Sequence, residues 1–392
     1  MSKFLKLGVG LLLVLGLVGA SVWVFQSPQS DGLARGTLTA LQADANSNNF
    51  SRATAIRDFV WPDDHGPHND FQTEWWYYTG NLQDPTGRHF GYQFTIFRRA
   101  LTLDAPPLTQ SDMAFNQIYF AHFALTDSAG NDHVAFEKYS RSAAGLAGAV
   151  AEPFQVFIED WSITGVDQQS AKNVRIKAAQ GDYAIDLSLE ASKPIVLQGD
   201  HGLSRKSTEM GNASYYYSIT RMRTQGKVRG KSGEFDVQGN SWMDREWSTS
   251  ALSNNAVGWD WFAVQLDDGR DLTLGWIRNK DGSLDSTWGG SLVAADGSSR
   301  RVLGEDFQAT VLETWRSPRT NAEYPIKWKI VFPKDDLTLE IAARIPDQEM
   351  NLNQLYWEGA TTINGTQAGK PLSGVGYLEL TGYGGKKTRG KE

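Results

Sequence analysis

Cysteine is absent from the 392-residue chain. Its absence excludes disulfides, thiolate metal sites, thiol nucleophiles and a lipid anchor on a modified cysteine. Basic residues are in the minority. The 38 Lys and Arg against 45 Asp and Glu leave a formal net charge of −7, which gives a nucleic-acid partner no support. Also missing are a Gly-x-Ser-x-Gly elbow, a phosphate loop and a dinucleotide fingerprint, so a serine hydrolase is poorly supported and no cofactor is required. After residue 50 no long stretch carries helical periodicity.

What is present is aromatic and glycine-rich: 14 Trp, 11% aromatics overall and 39 Gly, a composition that suits short strands joined by tight turns. The N-terminus is a targeting segment. Lys3 and Lys6 precede a charge-free run from Leu7 to Phe25, long enough to span a bilayer. The positive start places the rest of the chain outside the cytoplasm. Gly19-Ala20-Ser21 offers small residues for cleavage, so a cleaved signal and an uncleaved anchor both fit residues 1–25. Residues 26–49, rich in Ser, Asn, Gln and Ala, read as a linker, and residues 386–392 as a flexible tail.

Between them lie alternating runs such as Tyr92–Phe97, Tyr183–Leu189 and Leu337–Ile341, punctuated by turn signals such as Asp127-Ser-Ala-Gly130 and Asp267-Asp-Gly269. The body also repeats itself. Glu74–Leu82 aligns with Gly258–Leu266, each followed by a turn with Gly-Arg (Gly87-Arg88, Gly269-Arg270) and a strand ending in Arg98 or Arg278. Asp182–Leu189 likewise echoes Asp336–Ala343. Two copies of one all-β domain follow, each an antiparallel barrel, because closing a large sheet removes its edges. The polar, basic, Gly-rich Thr224–Gly233 segment reads as the junction, giving an N-terminal barrel over 50–228 and a C-terminal one over 229–385. A barrel of this size holds one apolar ligand.

The densest polar and aromatic cluster is Gly239–Trp247. In a strand, Trp242, Asp244 and Glu246 share one face, while Met243, Arg245 and Trp247 share the other. A carboxyl against indole is desolvated, which raises its pKa and suits a general acid near neutrality. Asp244 is the candidate acid, with Glu246 and Arg245 beside it. The same residues also fit an ion-pair network through Arg245 and Arg98 or Arg278. His65-Gly-Pro-His68 has metal-ligand residue types, but the intervening turn does not aim both rings at one ion, so no metal is assigned. Glu74, Trp75 and Tyr77 are candidates for a cavity mouth, and Trp259-Asp260-Trp261 repeats a carboxylate between indoles.

Three segments, Asp64–His68 through Glu74–Leu82, Ser241–Trp247 and Gly376–Gly382, resemble the AttH and carotenoid 1,2-hydratase (hydroxyneurosporene synthase) superfamily across roughly residues 55 to 385. The resemblance implies two lipocalin-like barrels packed together. It also implies one of two roles: acid-catalysed addition of water to an isoprenoid alkene, with Asp244 as acid, or a non-catalytic accessory to an envelope ABC transporter permease. The export segment suits a periplasmic or envelope location and an apolar or amphipathic small-molecule ligand, held by Trp242, Trp247, Glu74, Trp75, Tyr77, Trp259 and Trp261. Isomerisation of such an alkene fits the same acid, and a structural protein with filled barrels is a further role that fits.

Overall fold

The computed structural model describes residues 49–104, 113–166, 171–249 and 252–384. The proposed export segment therefore lies outside the described residues. Apart from three short 3-10 turns, the described elements are strands. The first half runs β1 (Thr73–Gln83), β2 (His89–Ala100), β3 (Gln117–Asp127), β4 (Asp132–Arg141), β5 (Ala147–Val150), β6 (Gln155–Ile158) and β7 (Trp161–Gly165). It continues with β8 (Asn173–Gln180), β9 (Tyr183–Ala191), β10 (Val196–Leu197), β11 (Leu203–Arg205), β12 (Ala213–Gly230) and β13 (Gly233–Ser248). These make one antiparallel sheet, in the order β4-β3-β2-β1-β13-β12-β9-β8-β7-β6-β5, with β10 and β11 also on β12.

The second half holds β14 (Ala256–Leu266), β15 (Asp271–Asn279), β16 (Leu284–Val293), β17 (Ser299–Val302), β18 (Gln308–Arg316) and β19 (Glu323–Phe332). Then come β20 (Leu337–Ala343), β21 (Glu349–Asn351), β22 (Leu355–Gln367) and β23 (Lys370–Thr381). Their order is β17-β16-β15-β14-β23-β22-β20-β19-β18, with β21 beside β22. The two paths match strand for strand through all nine members of the second, so the duplication read from the repeats is a duplication of topology.

The junction is elsewhere than expected. Thr224–Gly233 is the tip of the β12–β13 hairpin, whose register runs unbroken from Met222↔Ser241 to Gly230↔Gly233. The first sheet thus ends at Ser248, and residues 229–248, assigned above to the second barrel, belong to the first. A polar, Gly-rich composition serves a long hairpin tip as well as a linker. Nor are the barrels closed by hydrogen bonds. Each described ladder is an open path ending on edge strands, β4 and β5 in one sheet, β17 and β18 in the other. Both sheets curl, and each wraps its own apolar core, as a lipocalin-like unit does: Phe94, Trp161 and Leu187 lie in the first, Phe262, Trp276 and Trp328 in the second.

Strand burial explains how the units meet. β9 alternates, with Ile185, Leu187 and Leu189 buried between more exposed neighbours, as a half-buried strand should. β1 is buried on both faces: Trp76, Tyr78 and Leu82 enter the first core, while Tyr77 and Thr79 point outward yet are also buried. The second sheet is the cover. The approach is close enough that a Cβ on Gly91 of β2 would lie 2.6 Å from the Ala360 Cβ of β22. Asn81 Nδ2 donates to the Gly376 carbonyl at 3.1 Å and Gln265 Nε2 to the Thr220 carbonyl at 2.7 Å. Between the sheets lies a third apolar cluster containing Trp242, Trp259, Trp261 and Trp288.

Candidate functional site between the two sheets

Register places the site. Asp244 on β13 pairs with Tyr77 on β1 and with Ser218 on β12, and Glu246 pairs with Trp75 and Tyr216. Because side chains alternate, all six face out of the first barrel, toward the second sheet. There all of them but Ser218 line a cavity of about 90 Å³ together with Trp259, Trp261, Glu358 and Glu379 from the other unit. That is room for a file of waters or a slender prenyl chain.

Asp244 is anchored by three donors: Trp242 Nε1 at 2.8 Å, Tyr216 Oη at 2.7 Å and Ser218 Oγ. Burial nevertheless dominates and pushes its carboxyl up to about 7; the three donors pull it back and neighbouring Glu246 adds to the rise. Glu246 accepts from Ser214 and pairs with Lys206 Nζ at 3.0 Å. Lys206, the one basic side chain on the cavity wall apart from the imidazole of His122, sits 3.9 Å from the Trp288 ring centroid. Burial lowers its pKa against the pull of Glu246 and Asp244.

The second sheet contributes its own acids. Glu358 on β22 pairs with Glu379 on β23, so two carboxyl groups stand side by side. Tyr77 Oη donates to Glu358 Oε1 across the sheets at 2.5 Å. Burial first, then the neighbouring Glu379, pushes Glu358 well above the usual carboxylate range. Glu379 is pushed up to about 8, by burial ahead of the opposing hydrogen bond from Trp259, with Asp244 and Glu246 adding repulsion. Trp261 pairs with Glu379 as Tyr77 pairs with Asp244. The duplication therefore makes Asp244 and Glu379 equivalent positions that meet at one cavity.

The opposite face of β13 differs. Arg245 and Trp247 point into the first barrel, where Glu74 pairs with both Arg98 and Arg245 and all three side chains are fully buried. Burial opposes the charge on Glu74, but Arg98 and Arg245 outweigh it and hold the carboxyl well below the usual range. His68 stacks on Trp247 at 3.8 Å and reaches Asp64 Oδ1 at 2.9 Å, while His65 Nδ1 meets Tyr217 Oη at 2.6 Å. Both histidines are thus engaged in ordering the loop before β1. The ion-pair network anticipated as an alternative to catalysis exists, but on the face away from Asp244.

A family model described as AttH-like matches residues 52–383. The chain belongs to the AttH-like family. A crystal structure of an AttH protein from Nitrosomonas europaea is 34% identical, with a TM-score of 0.75, covering 85% of this chain and 99% of that one. Kievitone hydratase of Fusarium solani subsp. phaseoli is 23% identical over 55% of this chain and 63% of its own length. The dehydratase asqC of Emericella nidulans is 20% identical over 55% of this chain and 63% of its own length. The alignment thus spans under two thirds of these curated relatives.

Of the residues selected from sequence, the AttH-like fold gathers Asp244, Glu246, Trp75, Tyr77, Trp259 and Trp261 at one cavity, with Trp242 directly behind Asp244. It sends Glu74, Arg245 and Trp247 to the barrel interior, which removes them from the cavity wall. Asp260 faces the second core, bonded to Trp276 Nε1 at 2.7 Å and Tyr383 Oη at 2.9 Å. Unforeseen wall residues are Lys206, Tyr216, His122, Tyr356 and Glu358, together with Glu379, whose motif was noted only as a family mark. The carboxylate beside aromatics in Tyr356-Trp-Glu358 was the signal available for Glu358.

Proposed function

We propose that this AttH-like protein adds water to an isoprenoid-like alkene, or removes it from the alcohol, by acid catalysis at Asp244. The carrying observation is a cavity between the sheets that reaches a carboxyl with a pKa of about 7 and is walled by indoles. In the hydration direction the Asp244 O–H bond breaks and its proton forms a C–H bond at the less substituted alkene carbon. The tertiary cation left behind faces Trp75, Trp259 and Trp261, whose π-faces attract positive charge. Water then forms the C–O bond and sheds a proton. Glu246, paired with Lys206, is the acceptor two residues along the same strand face, on the order of 7 Å from Asp244. Returning that proton to Asp244 closes the cycle, and dehydration is the same path reversed. Relatives named hydratase and dehydratase support this class of chemistry. The test is to incubate the protein with farnesol, which carries a trisubstituted terminal alkene, in heavy-oxygen water. A tertiary alcohol bearing the heavy oxygen, formed by wild type and lost in Asp244→Asn, is the expected result; no product from wild type rejects the reading.

Non-catalytic binding beside an ABC transporter permease is the second reading. The charge-free run from Leu7 to Phe25 favours it, because it fits an envelope location and a membrane anchor. Fractionation of cells producing the full chain tests that location. Co-purification with a permease supports the accessory role, and recovery in the cytoplasm rejects both.

A further inference from the structure

Two neighbouring side chains on the cavity wall each carry a buried polar atom with no hydrogen-bond partner, as Trp261 Nε1 does elsewhere on the wall. His122 on β3 and Gln93 on β2 are 0% and 1% exposed and both line the cavity. Each is anchored by one end: His122 Nδ1 lies 2.8 Å from Tyr356 Oη, and Gln93 Nε2 donates to Thr95 Oγ1 at 2.7 Å. The other ends, His122 Nε2 and Gln93 Oε1, make no hydrogen bond. His122 pairs with Thr95, and Gln93 sits two residues back on the same strand face, so the two side chains are diagonal neighbours. A buried polar atom left unmatched has lost its hydrogen bonds to water with nothing in return, which is destabilising. Two of them, adjacent and turned to one cavity, call for a ligand group that satisfies both.

We propose that His122 Nε2 and Gln93 Oε1 clamp a hydroxyl group of the ligand, at a point remote from the carbon that reacts. A hydroxyl is the group that fits both atoms. Its O–H donates to Gln93 Oε1 while its oxygen accepts from His122 Nε2–H, in the tautomer whose bare Nδ1 faces Tyr356 Oη. An anionic terminus does not fit. Burial keeps the imidazole neutral, pushing its pKa down to about 3, and Gln93 carries no charge. Distance follows from register. Asp244, Tyr77, Thr95 and His122 form one row across four adjacent strands. Three inter-strand steps separate the ends of that row by roughly 14 Å. The neighbouring row, Glu246, Trp75, Phe97 and Phe120, is largely aromatic, with Phe97 and Phe120 stacked at 4.5 Å. The ligand is therefore an elongated, mostly apolar molecule with a neutral hydroxyl at one end and its reacting alkene at the other. This deepens the hydration reading and rests on it for the identity of the reacting end.

The test is equilibrium binding, read by tryptophan fluorescence, of farnesol and of the same triene lacking the hydroxyl. Wild type should favour farnesol by about tenfold, the worth of one well-made buried hydrogen bond. His122→Asn keeps an amide near the Nδ1 position, so it can retain Tyr356, but removes the Nε2 end; the preference should vanish. His122→Gln restores a polar atom near Nε2 and should recover most of it. Gln93→Leu should abolish it independently. Equal affinity of wild type for the two probes, binding of neither, or a preference surviving both His122→Asn and Gln93→Leu would overturn the clamp. Because binding needs no turnover, the preference persists if hydration fails, and hydration without the preference leaves the hydration reading standing alone.

Discussion

The two faces of β13 use similar residues to opposite ends. Inward, Glu74 has two guanidiniums for one carboxylate, and the site is dry, paired and ionised. Outward, Asp244, Glu246, Glu358 and Glu379 crowd one cavity with Lys206 as the only Lys or Arg on its wall. The inward group is compensated and its pKa falls; Asp244, Glu358 and Glu379 are under-compensated and theirs rise. Burial acts on both faces alike, so the count of cationic partners decides which carboxyl stays charged. One face then stabilises the fold, and the other stores a proton at neutral pH.

The sharpest way to separate the faces is Asp244→Asn. Hydration should fall about 10²–10⁴-fold, the usual worth of a positioned acid, while the protein stays folded by circular dichroism. Glu74→Ala should do the reverse. It strands Arg98 and Arg245 without their carboxylate, at a cost of about 3–5 kcal/mol in urea unfolding, with activity per folded molecule little changed. If Glu74→Ala instead left stability intact and removed activity, the division between faces would be lost.

A smaller effect is the pH dependence of stability. The Asp244 carboxyl has its pKa raised on folding, so the folded state holds the proton more tightly than the unfolded chain. Its contribution is fully present below about pH 4 and is lost as pH rises through about 7. Wild type should therefore lose more unfolding free energy between pH 5 and 8 than Asp244→Asn does, by on the order of a few kcal/mol. Smaller still is Lys206→Met. Removing the cation leaves Glu246 uncompensated, which raises Asp244 further and moves the fall of activity with pH upward, by roughly one pH unit. An unmoved or lowered limb would show that Lys206 does not feel the acid.

Much of this was legible in the sequence. The matching of Glu74–Leu82 with Gly258–Leu266 gave away the duplication, and period-two alternation put Trp242, Asp244 and Glu246 on one face. The same alternation, applied to β1, separates Glu74 from its neighbours Trp75 and Tyr77; placing all three at one cavity mouth overlooked that adjacent residues face opposite sides. The hairpin at Thr224–Gly233 was misread because turn tips and linkers share a composition. His122, Tyr356 and Glu358 could not be found locally. His122 joins the row of Asp244 through the strand order of the first sheet, and Tyr356 and Glu358 reach that row because the two curled sheets pack face to face, facts of topology that no window of residues contains.

The measurement that bears most directly on the two-face account is infrared spectroscopy of the carboxyl groups, taken as wild type minus Asp244→Asn across the pH range. A protonated carboxyl band assigned to Asp244 at pH 5 that titrates away near pH 7, with no such band in the difference spectrum for Glu74→Gln, is the result predicted. An Asp244 carboxylate already ionised at pH 5 would contradict it.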